Sequence, residues 1–275
     1  MSLFESRRAW FLMHFHVVDV YEDTGSRLHH LDVRVKVVVT FALILLISLT
    51  PMGAFGAYVG FFALMMAGAL FAQVDPLLVV RRSMIALPFA LAAVTLVFTM
   101  PGPTLGTLPV LNLPISEPGL VRFVSILFKS AISVQAAVLL MLTTHFTDTL
   151  WALDALRVPR VLVAIISFMY RYLFVLADEA LRLTRARDSR SAVTAGDAHH
   201  GPNLIFRART TGRMIGSLFL RSFARSERVY RAMVSRGYRG SIRRLDPPPL
   251  ALRDVAFGAL VILIGLALLG VGIVF

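Results

Sequence analysis

Long apolar runs, broken by short stretches of proline, glycine and charge, set the rhythm of this chain. "KVVVTFALILLISLT" (36–50) has the composition of a membrane span and stops at Pro51 and Gly53. "AFGAYVGFFALMMAGALFA" (54–72) predicts a second span. "SMIALPFALAAVTLVFTM" (83–100) predicts a third, with Arg81 and Arg82 as a cytoplasmic anchor. Residues 101–119 are rich in Pro and Gly and hold neither Lys nor Arg, which marks an extracytoplasmic loop. A fourth span runs from about Leu120 to Thr144 and includes Lys129, which must face a bundle interior or snorkel. The last span, from about Val255 to Phe275, follows "DPPP" and Arg253. Alternation then puts the N-terminus and residues 145–253 in the cytoplasm.

The pattern changes between 145 and 253. "FTDTLWALDALRVP" reads as a short helix with Thr147 as N-cap, ended near Pro159. "RVLVAIISFMYRYLFVLADEALRLTRARDSR" reads as a long helix. Its first half is apolar nearly all round, but Arg171, Asp178 and Glu179 argue against a simple span. It is expected to be half sunk in the membrane and to emerge into the cytoplasm. "SAVTAGDAHHGPN" is a loop. A further helix, from about Phe206 to Arg236, is amphipathic: Phe219, Phe223, Tyr230, Met233 and Val234 share one face. Arg221, Arg225, Arg228 and Arg231 share the other, as a helix lying on anionic lipid would also show.

Composition supports the membrane class. The chain has 275 residues, 57% of them hydrophobic and only 16% charged, where a soluble domain carries about 25% charge. Its net charge of +12 comes almost wholly from arginine, since Lys36 and Lys129 are the only lysines. A nucleic-acid binder would be as basic but not as apolar. Cysteine is absent, which excludes disulfides, thiolate metal sites and cysteine nucleophiles. Acids and histidines precede the first apolar run, so that run is expected to be a true span and not a cleavable signal.

Two helix ends in the 145–253 segment echo each other. Asp178 precedes Arg187 by nine residues, and Glu227 precedes Arg236 by nine; Arg182 and Arg231 sit five before each arginine. Each helix thus presents an arginine at its C-terminal tip. For Arg236-Gly237 a helix cap alone would explain the pair, a cation favoured by the dipole followed by a left-handed glycine.

Catalytic signatures are missing. No G-x-x-x-x-G-K-[ST], H-E-x-x-H or G-x-S-x-G occurs, so the chain has no evident means of hydrolysing ATP itself. Paired histidines, His14/His16, His29/His30 and His199/His200, have no carboxylate at ligand spacing. Gly56 and Gly60 form a G-x-x-x-G that permits close helix packing.

Four features together carry a family resemblance. They are "SRLHHLDVRVK", "ALDALRVPRVLVAIISFMYRYLFVLADEALRLTRARDSR", "GSLFLRSFARSERVYRAMVSRGYRG" and the number of spans. They resemble the transmembrane T component of energy-coupling factor transporters, specifically the cobalt/nickel type called CbiQ. The resemblance implies a non-enzymatic subunit that couples two ABC-type ATPases (CbiO-like) to a substrate-capture membrane subunit (CbiM-like) with a small CbiN-like companion. ATP and Mg would sit on the ATPases and Co2+ or Ni2+ on the capture subunit, so this chain would hold no metal or cofactor and no nucleic acid.

In such a chain two arginine motifs dock into the ATPases. Here the second falls on Ser235-Arg236-Gly237 and the first on Ala186-Arg187-Asp188, with Arg190 as an alternative contact. Asp188 stands where the family prefers a small residue. Phe219, Phe223, Tyr230 and Met233 would pack on the neighbouring coupling helix. Arginine's planar fork suits such docking, because it pairs bidentately with carboxylates or carbonyls.

The expected fold is all-α: a polytopic protein of the bacterial inner membrane with about five transmembrane helices and a cytoplasmic coupling domain of two to three long helices. The expected divisions are an N-terminal segment (1–34), spans one to four (35–146), coupling helices (147–249) and the last span (250–275). Two other classes compete with the transporter subunit: a lipid-binding scaffold using the arginine helix, and a membrane enzyme using the paired histidines.

Overall fold

A computed structural model describes residues 21, 25–26, 28–86, 88, 91–107, 114–190, 204–240 and 249–274. The chain is an all-α, polytopic membrane protein, with one small hairpin as its only β-structure among the described residues. It divides into two compact units, one of residues 1–156 and 246–275, the other of residues 157–245.

In the first unit, α1 (Val33–Leu49) starts at Asp32, whose carboxylate caps the Arg34 amide, and ends before Pro51, which has no N–H to continue the ladder. α2 (Phe55–Phe71) ends in a left-handed residue, Gln73 at φ +54°. There the amides of Gln73 and Val74 reach back to the carbonyls of Leu70 and Ala69, which closes the helix end. α3 (Pro76–Ser83) is capped by Asp75. Two 3-10 turns (Met84–Ala86 and Ala92–Val94) and α4 (Thr95–Thr99) follow. β1 (Thr104–Thr107) and β2 (Pro114–Ser116) pair antiparallel. α5 (Glu117–Thr143), α6 (Phe146–Ala155) and, after the second unit, α9 (Leu252–Val274) complete it.

Two expectations are corrected here. The stretch read as a third span, 83–100, is not one continuous helix: 3-10 turns and the short α4 divide it, and Pro88 removes a backbone donor within it. The short helix before residue 156 begins at Phe146 with His145 as its N-cap, so Thr147 lies inside its first turn.

Helices α5 and α9 are long and apolar enough to cross a membrane. So is α7 (Arg160–Arg190) of the second unit, by length and composition. α1 and α2 have 17 residues each, which is at the short end for a span.

The core of this unit joins Leu43, Leu46 and Ile47 of α1 to Tyr58, Phe61 and Met65 of α2 and to Ile132 and Ala136 of α5, with Leu268 of α9 packed against it. α9 lies on α1 through glycines spaced by seven. A Cβ at Gly258 would come within 2.5 Å of Val35, and one at Gly265 within 2.9 Å of Leu46. One at Gly272 would meet Ala57 at 3.0 Å. Small residues let spans approach closely where lipid offers no hydrophobic drive. Gly60 does the same for α2 against Leu268, while Gly56 faces open space. Lys129 is half-buried, and its Nζ donates to the Ser48 carbonyl near the end of α1, at 3.0 Å.

Among the described residues, the helices of the second unit are α7 and α8 (Leu204–Ser235), 31 and 32 residues long.

Candidate coupling site

α7 and α8 run antiparallel, as three contacts at different heights show. Near the end of α7, Arg187 Nη1 approaches Thr211 Oγ1 at 3.5 Å. In the middle, Glu179 of α7 accepts from Arg221 of α8 at 3.0 Å, with Arg225 at 3.9 Å. Toward the start of α7, the Phe168 ring meets Tyr238 edge to face, at 6.5 Å between centroids. The two arginine motifs therefore sit at opposite ends of the helix pair, roughly 30 Å apart along α7 from a rise of ~1.5 Å per residue.

Ser235, Arg236 and Gly237 end α8 in a double reverse bond. The Gly237 amide donates to Val234 and the Tyr238 amide to Met233, both at 2.9 Å. Gly237 adopts φ +86°, a conformation that costs a side-chain-bearing residue energy, so the glycine is a backbone requirement. The capping alternative thus explains Gly237 in full. It leaves the Arg236 side chain unexplained: it is exposed, and no hydrogen bond or ion pair engages it among the described residues.

The first motif is built differently. Arg187 turns its guanidinium onto Asp188, with Nε at 3.1 Å and Nη2 at 2.8 Å from the same carboxylate oxygen. Asp188, the departure from the family pattern, thus neutralises Arg187 within the chain. Ala186 and Arg190 are exposed beside it in the last turn.

The packing expected of α8 is corrected. Phe219, Phe223 and Tyr230 are 68%, 58% and 61% exposed, so they do not pack on the neighbouring coupling helix. Met233 is half-buried, on the side shared with Thr211, Met214, Leu218, Arg225 and Val229. The reason is angular: at 100° per residue this set forms its own stripe, and the phenylalanines lie on a flank of it.

The carboxylate that bridges the helices was read from the sequence only as an argument against a span. Glu179 also takes Arg182 at 3.0 Å, so three arginines surround one carboxylate that is itself 15% exposed. The i, i+3 spacing of Glu179 and Arg182 was the only local signal; its partners on α8 lie 42 residues or more away. Of the paired histidines, His29 bonds Ser26 at 2.7 Å, while His14, His16, His199 and His200 lie outside the described residues. Among the described residues no three His, Asp or Glu side chains gather as a metal site.

A bundle with helices apolar and long enough to cross a membrane, and a separate pair of helices that each end in arginine, define the class as a polytopic membrane protein. The family model for CbiQ, described as cobalt transport protein, matches residues 24–247, and the chain belongs to that family. It is similar to the cobalt transport protein CbiQ of Rhodobacter capsulatus, 33% identical over 40% of this chain and 41% of that one. It is also similar to the nickel permease LarQ of Lactiplantibacillus plantarum, 30% identical over 41% and 38% of the two chains. The energy-coupling factor transporter transmembrane protein EcfT of Lactobacillus helveticus is 30% identical over 47% and 48%. The chain spans about half the length of the curated relatives it matches.

Proposed function

We propose that this chain is the coupling subunit of an energy-coupling factor importer for cobalt or nickel ions. In this reading α7 and α8 lie in the cytoplasm of a bacterial cell and each tip docks on one ABC-type ATPase. A separate membrane subunit captures the ion, and ATP with Mg is bound and hydrolysed only by the ATPases. The observation that carries the reading is Arg236: an arginine at a helix end, its side chain exposed and with no hydrogen bond or ion pair among the described residues, with Gly237 turning the backbone away. Its position at the far end of the helix pair from Arg187 suits one chain that must contact two ATPases at once.

Arg236 is proposed as the stronger contact. Arg187 has to exchange Asp188 for its partner, or present the pair together, and Arg190, exposed beside it, is the alternative contact. Purification of the chain from its host under mild detergent tests the proposal. Two ATPases and a capture subunit are expected to accompany it, and Arg236→Ala is expected to weaken ATPase retention and stop metal uptake. Full retention and uptake by both Arg236→Ala and Arg187→Ala would overturn the docking assignment.

The exposed Phe219, Phe223 and Tyr230 favour a second reading, a scaffold bound to lipid. That reading requires salt-sensitive binding of the purified chain to anionic liposomes with no ATPase present.

A further inference from the structure

The start of α1 carries Asp32, Arg34 and Lys36 at three alternating positions; the backbone of the first and the charged side chains of the other two each meet a different part of the bundle. The Asp32 amide donates to Asp254 Oδ2, in the first turn of α9, at 3.2 Å. Lys36 Nζ donates to the carbonyls of Thr143, the last residue of α5, at 3.0 Å and of His29 at 3.1 Å. The Arg34 guanidinium lies 4.4 Å from the centre of the Trp151 ring, on α6. Asp148 of α6, Asp254 and Asp32 supply the negative charge around Lys36.

The knot is dry. Asp32, Lys36 and Asp254 are 7%, 8% and 8% exposed, and Thr143 is 2%. Removing charges from water is costly, and apolar spans pack without them, so the arrangement calls for a reason beyond holding the bundle together.

Its place in the chain supplies one. α6 is the last helix before the chain leaves the first unit at Leu156, and α9 is the first helix after it returns at Asp246. One turn of α1 therefore grips both the exit and the return. Beyond Asp254, α9 is held along its length to the first two helices by Gly258, Gly265 and Gly272. We propose that Asp32, Arg34 and Lys36 are positioning residues that anchor both roots of the coupling unit, so that movement of α7 and α8 reaches the bundle and is not lost at the roots. The mechanical consequence rests on the coupling reading above; the anchor itself is a property of the bundle.

The absence of cysteine allows a direct test. Leu156→Cys and Leu250→Cys, at exposed positions beside the two roots, carry a pair of spin labels in the full chain in lipid nanodiscs. The unaltered background is expected to give one narrow distance distribution. Lys36→Met and Asp254→Ala are expected to broaden it, and Lys36→Arg to preserve it. In the complex with its ATPases, Lys36→Met and Asp254→Ala are expected to keep ATP hydrolysis but to lower metal uptake per ATP about tenfold. Lys36→Arg is expected to restore it.

Unchanged distances in both variants would overturn the anchor. So would yield, hydrolysis and uptake falling in parallel without rescue by arginine, which is the mark of a purely structural role. If no ATPase accompanies the unaltered chain, the coupling reading falls, and the distance measurement still decides the anchor.

Discussion

In the bundle, α9 approaches α1 through glycines, and aromatic side chains such as Tyr58 and Phe61 are fully buried. In the unit of α7 and α8, the large apolar side chains Ile215, Phe219, Phe223 and Tyr230 are exposed, and one carboxylate bridges the two helices. Glycine shows the contrast most sharply. Gly258, Gly265 and Gly272 are buried in a seam, whereas a Cβ at Gly212 or Gly216 of α8 would meet nothing within 4 Å. The bundle is shaped to keep its form, because close-packed seams tolerate no added volume. The helix pair has no such seam at Gly212 or Gly216, so added volume there meets no neighbour.

Substitutions can break or sharpen this contrast. The largest effect is expected from Gly265→Leu, which drives a side chain between Leu43 and Leu46 and should cost about 3 kcal/mol, read as a lower unfolding temperature in detergent. Arg236→Ala should leave that temperature unchanged and weaken ATPase binding by about 2 kcal/mol, or ~30-fold, in a titration of the purified subunits. Gly216→Ala places a methyl in open space within a helix and should stabilise the chain by ~0.5–1 kcal/mol, the opposite sign from the bundle glycine. Glu179→Gln should have the smallest effect, a loosening of α7 from α8 seen as faster amide exchange at low salt and absent at high salt. A large loss of stability in Glu179→Gln would mean that the helix pair is held as firmly as the bundle, and the contrast would fail.

Much of this was legible along the chain. The apolar runs give the helices, because burying twenty or so apolar residues in lipid needs no information from elsewhere. Arg236-Gly237 could be read as a helix end because the left-handed turn is a local requirement that glycine meets. The break in residues 83–100 was signalled by Pro88 but masked by the hydrophobicity around it. The side of α8 that meets α7 was misjudged from amphipathicity, because in a membrane protein the most apolar face of a helix need not be the one that packs within the chain.

The sequence by itself determined the class of the protein, its long helices and the arginines at two helix tips, since each depends on residues that are neighbours or one helical turn apart. Only the tertiary structure decided that Arg187 also reaches Thr211 while the Arg236 side chain has no partner among the described residues, and that the tips stand at opposite ends of an antiparallel pair. It also decided that Asp32 meets Asp254 across 222 positions of chain. Contacts of that separation are chosen by how whole helices pack, and no local spacing encodes them.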